Sequence, residues 1–373
     1  MFDRRLIQNF DWILLLLLII IGIVSIVNLY SATYPIRDAG GSQIFIKQAY
    51  WFLIGFAVLL MMTTFDYHVL ERLAYPAYFL TLILLILVLA IGKIYSGSQR
   101  WLSLGGITFQ PSEMAKIALV IMLAKYFNEH GEYNEHGEYN EYRLRDLWWP
   151  FLLIILPCLL IIKEPDLGSA LILMFVSFSI ILFVKIRWRS LLILIMTSLL
   201  SAPFIWFTLK EYQQKRILTF IRPDMDPLGA GYHINQSKIA IGSGLFWGKG
   251  FLKGTQTRLH FLPEQHTDFA FSVLAEEWGF VGSIFLLMLY IFLILWGLNI
   301  AKNSKDKFGT ILALGIVAIV FWQLVINVGM VIGLLPVVGI PLVMFSYGGS
   351  SVITTMSGMG LLMNISMRRF MFQ

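Results

Sequence analysis

Four clusters of ionisable residues in this 373-residue chain stand beside long apolar runs, where charge is costly and marks a candidate for function. The first is Ser98-Gln99-Arg100-Trp101, followed by Phe109-Gln110-Pro111-Ser112-Glu113-Met114-Ala115-Lys116. Glu113 and Lys116 sit three apart and share one helix face. They read either as an internal ion pair that locks a short helix or as a polar wall that meets an anionic head group. Ser112 has the type and position of a helix N-cap. The second cluster is Lys163-Glu164-Pro165-Asp166-Leu167-Gly168, where Pro165 ends one apolar run and Asp166 is placed to cap the next. The third is Leu262-Pro263-Glu264-Gln265-His266-Thr267-Asp268-Phe269. Asp268 stands where a hydrophilic stretch gives way to an apolar one. It reads as a helix cap, or as a carboxylate at a cavity mouth near the positive end of a helix, ionised and able to accept a proton. His266 is the alternative base. Further on, Glu276 and Glu277 lie deep in an apolar run and are expected to pair across the bundle or near its inner face. The fourth cluster is basic: Arg216, Lys238, Lys249, Lys253 and Arg258. Cations above a membrane cavity suit a departing pyrophosphate, and equally suit anionic lipid heads.

The elements that must position these residues are membrane helices. Hydrophobic residues make up 58% of the chain and charged ones 13%, against roughly 25% charge in a soluble globule. The net charge of +6 comes from short basic clusters between apolar runs, which fits membrane orientation better than nucleic-acid binding. The single cysteine, Cys158, excludes an intramolecular disulfide. The apolar run from Trp12 to Tyr30 is too long for a signal-peptide core and reads as the first span. Ten runs near 20 apolar residues are predicted to cross the bilayer: 11–31, 46–65, 71–92, 112–127, 147–163, 167–185, 188–209, 270–300, 309–333 and 346–367. The fourth is short and carries Glu113 and Lys116. A Gly/Pro-rich connector, Gly333 to Pro341, joins the last two. Basic residues gather at one set of ends, among them Arg4, Arg5, Arg143, Arg145, Lys185, Arg187, Arg189, Lys302, Lys305, Arg368 and Arg369. Both termini are therefore expected in the cytoplasm. The expectation is an all-α integral membrane protein forming one polytopic domain over 1–373. It has a cytoplasmic loop at 128–146 and a long extracytoplasmic loop at 210–267, between the seventh and eighth spans.

Two local patterns carry less chemistry than they suggest. Asn128-Glu129-His130-Gly131-Glu132-Tyr133 recurs as Asn134 to Tyr139 in the cytoplasmic loop. Each copy brings one histidine, too few for a metal cage, so the repeat reads as a solvated loop and no metal residues are assigned. Gly242-x-Gly244 and Gly248-x-Gly250 resemble phosphate loops but lack the strand and helix context. The long loop reads as short helices and turns.

These runs resemble the SEDS family (shape, elongation, division and sporulation) of membrane-embedded peptidoglycan glycosyltransferases. The resemblance spans about residues 95 to 367 and rests on the runs quoted above. It also rests on Asp226-Pro-Leu-Gly-Ala-Gly-Tyr-His-Ile-Asn-Gln-Ser-Lys-Ile-Ala-Ile-Gly-Ser-Gly244, Asn327-Val-Gly-Met330, Gly333-Leu-Leu-Pro336 and Ser346-Tyr-Gly-Gly-Ser350. Gly254-Thr-Gln-Thr257 and Leu335-Pro-Val-Val-Gly-Ile-Pro341 look like the elongation member. Two departures stand out. Glu164 occupies a usual Gln position and is expected to add a charge beside Asp166, and Val343-Met344 replaces a usual Pro-Phe or Pro-Leu. The resemblance implies polymerisation of lipid II into β-1,4 glycan on the outer side of a bacterial inner membrane, for elongation and rod shape. It implies Asp268 as the catalytic base, and Arg100, Glu113, Lys116, Asp166, Arg216 and Lys238 as substrate-binding residues. It also implies a class B penicillin-binding protein as partner, surrounding membrane lipids, and either no cofactor or a divalent cation, Mg2+ or Mn2+. The competing expectations are a lipid II flippase and a scaffold for the transpeptidase.

Overall fold

The computed structural model describes residues 9–39, 42–95, 98–104, 107–130, 141–208, 211–222, 226, 229–259, 261–262 and 264–369. Every run expected to span the membrane is a helix: α1 (Trp12–Thr33), α2 (Ser42–Thr64), α3 (His68–Ile91), α4 (Pro111–Glu129), α5 (Trp148–Lys163), α6 (Leu167–Phe183) and α7 (Trp188–Thr208). The series closes with α11 (Ala270–Lys302), α12 (Lys307–Val331) and α13 (Gly349–Arg368). Between α7 and α11 lie the short helices α8 (Glu211–Ile221), α9 (Ala230–Gly244) and α10 (Thr255–Arg258). Among the described residues, six helices are long and apolar enough to cross a bilayer: α1, α2, α3, α5, α11 and α12. For α5 that length includes the preceding turn, Leu144–Lys163; α6 and the Trp188–Ser201 part of α7 are shorter apolar helices. An antiparallel three-stranded sheet, β1 (Lys93–Tyr95), β2 (Ser98–Leu104) and β3 (Ile107–Phe109), joins α3 to α4. Nothing in the hydropathy pattern announces it. Most of the hexapeptide repeat, 131–140, lies outside the described residues, and so does any metal-binding role for it.

The chain forms two compact units. One comprises Met1–Asp66, Arg216–Asn303 and Val320–Gln373; the other comprises Tyr67–Lys215 and Ser304–Ile319. In the first unit, α2 packs along α13, and α11 packs against both α1 and α9. In the second, α3 packs on α4 and α5 on α6.

Packing in the first unit buries polar side chains among apolar ones and leaves large apolar side chains outside. The buried face of α1 carries Ser25, Asn28 and Ser31, while Leu16, Ile23 and Val27 are exposed. Large apolar side chains turned outward need a lipid solvent. The polar groups turned inward then tie irregular backbone, which lipid cannot satisfy. Ser25 Oγ donates to the Phe345 carbonyl at 2.9 Å and Asn28 Nδ2 to the Ala270 carbonyl at 2.9 Å. Gln48 of α2 donates to the Ser346 carbonyl at 3.2 Å, and Tyr290 of α11 bonds the Val343 carbonyl. Four side chains thus hold both the non-helical stretch before α13 and the start of α11.

Helix α11 is broken at Gly279, which has φ 64°. The chain leaving α9 fills the break. Lys249 N–H donates to the Glu276 carbonyl and Gly250 N–H to the Glu277 carbonyl, both at 3.0 Å. Phe280 and Val281 N–H return bonds to Leu245 and Phe246 at 2.9 and 3.2 Å. Glycine is required for the approach. A Cβ on Gly248 (φ 80°) would lie 2.6 Å from the Trp278 nitrogen, and one on Gly279 would lie 2.8 Å from the Phe246 carbonyl oxygen. Of the glycines that mimic a phosphate loop, Gly244 and Gly248 therefore serve backbone-to-backbone packing.

Candidate active site

In the first unit, the segment that carries Asp268 is tied at three points. Gln265 Nε2 donates to the Ala32 carbonyl at 2.8 Å, and the His266 carbonyl accepts the Tyr347 N–H at 2.9 Å. Asn327 Nδ2 donates to the Asp268 carbonyl at 2.9 Å and to the Ile340 carbonyl at 2.7 Å. Asn327 is fully buried, so it fixes the Asp268 backbone against the connector between α12 and α13. Helix α11 begins at Ala270 with Phe269 at its N-cap and no side-chain cap. The carboxylate of Asp268 is therefore not the cap, and it is half-buried. A Cβ added to Gly339 (φ 74°) would lie 3.4 Å from its Oδ2.

Lys238 reaches the same connector. A Cβ on Gly333 (φ 76°) would lie 2.6 Å from Lys238 Nζ and would collide with its stem. Ser237, the preceding residue, is buried. Its hydroxyl donates to the Val331 carbonyl at 2.6 Å and meets Ser272 Oγ at 2.8 Å. That bridge ties α9 to α11 and to the end of α12, which seats Lys238 over Gly333. A half-buried carboxylate and an exposed ammonium thus share one connector, each placed over a glycine with positive φ. His266 lies beside this carboxylate in the chain, its ring 6.2 Å from that of Tyr347. Burial pushes its pKa below the ordinary histidine value, with Glu264 acting weakly the other way, so it is neutral at pH 7.

The remaining basic residues of the long loop divide. Arg216 is on α8 and half-buried. Lys249 holds Glu276: the ammonium lies 2.7 Å from Oε1, which also accepts the Thr255 hydroxyl at 3.1 Å and the Gln256 N–H at 3.0 Å. Glu276 is paired to the long loop, and Glu277 accepts the Ser31 hydroxyl of α1 at 2.5 Å, a pairing across the bundle.

The second unit gathers Arg100, Asp166 and their neighbours. Asp166 caps α6, accepting the Ser169 N–H at 3.2 Å and the Ser169 hydroxyl at 2.8 Å. It also accepts Gln110 Nε2 at 2.9 Å and the Ser112 hydroxyl at 3.4 Å. Arg100 Nη1 stands 3.7 Å from Asp166 Oδ1, and Nη2 donates to the Pro165 carbonyl. Ser112 is not the cap of α4. Gln110 holds that position because Pro111 opens the helix, which frees Ser112 to face Asp166. Glu113 and Lys116 form a buried ion pair at 2.7 Å.

Glu164 corrects the expectation of an added charge. It is fully buried and neither carboxyl oxygen has a hydrogen-bond partner. Desolvation, reinforced by Asp166 and opposed by Arg100, pushes its pKa up to about 9. At neutral pH it is a neutral acid.

Sequence reasoning thus found the carboxylates and cations but missed Asn327 and Ser237 as the residues that hold them. Both lie in motifs quoted above, and burial is what gives them their role. Among the described residues, no group of three or more His, Cys, Asp or Glu side chains converges to hold a metal.

A polytopic helical membrane protein with a carboxylate and a lysine fixed over one glycine-rich connector is the class defined by this geometry. The family model of FtsW, RodA and SpoVE, described as cell cycle proteins, matches residues 8–370. The chain belongs to that family, the SEDS proteins, and is RodA-like. It is 41% identical over 364 residues to the peptidoglycan glycosyltransferase MrdB of Escherichia coli, covering 97% of this chain and 95% of that protein. It is 31% identical to the peptidoglycan glycosyltransferase RodA of Treponema pallidum, covering 98% and 99% of the two. A solved structure concerned with coordination of polymerization and crosslinking by a peptidoglycan synthase complex matches with TM-score 0.81 at 32% identity, over 97% of this chain and 98% of that one. The rod shape determining protein RodA of Thermus thermophilus matches with TM-score 0.70 at 29% identity, over the same shares.

Proposed function

We propose that this chain is a peptidoglycan glycosyltransferase of a bacterial inner membrane, polymerising lipid II for elongation and rod shape. Near-full-length identity to relatives named for that activity supports the reading. The observation that carries it to a site is the pair Asp268 and Lys238, held over the Gly333–Gly339 connector. All ten long helices span the bilayer, both termini are cytoplasmic, and the site faces outward at the foot of the long loop. The basic ends named in the sequence support that orientation.

The family resemblance implies the chemistry, and the residue types present are suited to it. The 4-hydroxyl of one GlcNAc attacks the anomeric carbon of the MurNAc on a second lipid II, and undecaprenyl pyrophosphate leaves from the opposite face. One inversion turns the α-linked donor into a β-1,4 bond and needs one base, as in inverting glycosidases. Asp268 accepts the hydroxyl proton as the new bond forms. Its fixed backbone holds the carboxylate in place before substrate arrives. Lys238 and Arg216 take up charge developing on the diphosphate. In the second unit, Arg100, Asp166, Glu113 and Lys116 are a further polar set for binding substrate. A divalent cation fits this donor set only as a companion of the diphosphate, with at most one carboxylate and water completing its shell. No step here is routed through it. The partner is a class B penicillin-binding protein, whose transpeptidase cross-links the product.

The test is polymerisation of purified lipid II by the chain in complex with its cognate transpeptidase, whose own domain is blocked by β-lactam. Long glycan chains are the expected product. An intact complex that makes no glycan but moves lipid II between leaflets would establish the flippase. One that does neither would leave only the scaffold.

A further inference from the structure

A second polar site lies in the unit of residues 67–215, away from every residue assigned above. A cavity of about 480 Å3 opens where α4 ends and α6 gives way to α7, lined by Tyr126, His130, Arg143, Asp146 and Arg187, with Glu141 and Tyr142 completing it. Its frame is built. Tyr142 pairs with Ile186 in a parallel bridge, with Tyr142 N–H donating to the Lys185 carbonyl and Arg187 N–H to the Tyr142 carbonyl, both at 3.2 Å. The next residue on each side of the bridge is an arginine, Arg143 and Arg187. Arg143 and Arg187 are both exposed and both line the cavity, and among the described residues neither forms an ion pair with a carboxylate. Asp146 accepts the Arg143 main-chain N–H at 2.7 Å, and Glu141, also in the lining, is the other acid close by in sequence. The floor is aromatic and rigid. Tyr126 and His130 stack with centroids 4.4 Å apart, and the Tyr126 hydroxyl donates to the Asp146 carbonyl at 2.8 Å.

The surroundings say what kind of anion fits. Trp148 and Trp149 begin α5 just after Asp146, and Trp188 begins α7 just after Arg187; they are 68%, 57% and 68% exposed. Exposed tryptophans at helix ends mark the level of lipid head groups. Arg145, Lys185 and Arg189 add exposed cations on the same rim. Basic pockets between membrane helices at this level suit phosphate-bearing head groups, and a guanidinium pair matches a phosphodiester through paired N–H bonds.

We propose that this pocket binds the head group of an anionic phospholipid, with Arg143 and Arg187 on its phosphate. On the orientation above it belongs to the inner leaflet, and that leaflet assignment alone rests on the functional reading. Lipid at this rim braces the ends of α4, α5, α6 and α7 without entering the reaction.

The test uses the full chain, delipidated in neutral detergent and titrated with phosphatidylglycerol, phosphatidylcholine or free glycerol phosphate. Bound adducts are counted by native mass spectrometry. Saturable binding of phosphatidylglycerol is expected, with phosphatidylcholine and free glycerol phosphate each at least tenfold weaker. The double variant Arg143→Gln/Arg187→Gln is expected to weaken phosphatidylglycerol at least tenfold. The paired substitution Arg145→Gln/Arg189→Gln, outside the cavity, is expected to change it less than threefold. Unfolding temperature in plain detergent checks that both variants fold. Equal binding of phosphatidylcholine, or wild-type affinity in the Arg143/Arg187 variant, overturns the site. Free glycerol phosphate binding as tightly as the lipid overturns the lipid as occupant.

Discussion

A carboxylate that is to take a proton from a sugar must be ionised, fixed, and within reach of substrate. Asp166 is fixed but spends its oxygens on Ser169, Gln110, Ser112 and Arg100. Removing it should unravel a cap and a network, and substrate binding with them, without removing the base. Asp268 is half-buried beside the connector, and the protein holds its main chain there through Asn327. Glu164 is the opposite case, a carboxyl with nothing to bind its charge. Its folded pKa, about 9, lies above the ordinary 4.5. Below pH 4.5 both folded and unfolded forms carry the proton and the group costs nothing. As pH rises toward 9 the unfolded chain releases a proton that the folded chain keeps. Stability therefore falls across that window, at up to about 1.4 kcal/mol per pH unit. Glu164→Gln is predicted to match wild type in unfolding temperature near pH 5 and to exceed it increasingly toward pH 9. Parallel curves for the two proteins would show that Glu164 is not held neutral.

Elements place these residues through backbone that is not helical. The break in α11 at Gly279 and the connector before α13 both expose peptide groups at depth, and both are satisfied by protein. The account predicts that Gly248→Ala and Gly279→Ala each destabilise by ~3 kcal/mol or more, since a Cβ would strike the facing chain from a backbone with positive φ. Gly242 of α9 has nothing within 4 Å of where its Cβ would lie, so Gly242→Ala should be neutral or stabilising by up to ~1 kcal/mol. Thermal unfolding in detergent separates the two classes. The contrast also marks how far the sequence could be read. Helices were legible because twenty apolar residues in a row have one common use, and Asp166 was legible as a cap because Pro165 precedes it. The sheet at 93–109 was not, since its strands are short and carry no clear alternation. Nor were the Lys249–Glu276 clasp and the Asn327 brace, which join residues far apart in sequence through burial that no local pattern reports.

For the whole molecule, the proposal requires the long loop outside and the loop at 128–146 inside. Trp247 of the long loop is 77% exposed, and Arg145 of the inner loop is also exposed, so both positions are open to reagent. Cys158, the one native thiol, is buried and gives little background. With Trp247→Cys, an impermeant maleimide added to intact spheroplasts is predicted to label the chain. With Arg145→Cys, labelling is predicted only after the membrane is opened. The reverse pattern would turn the molecule over and move the connector to the wrong face for glycan synthesis.

The central claim is that Asp268 is the base. Its most direct measurement is the glycan polymerisation rate of Asp268→Asn in complex with the transpeptidase partner, which keeps the side chain's shape and removes its basicity. The account predicts unchanged unfolding temperature and partner binding with a rate lowered by ~100-fold or more. A rate within a few-fold of wild type would contradict it, and would return the role to His266 or to another group.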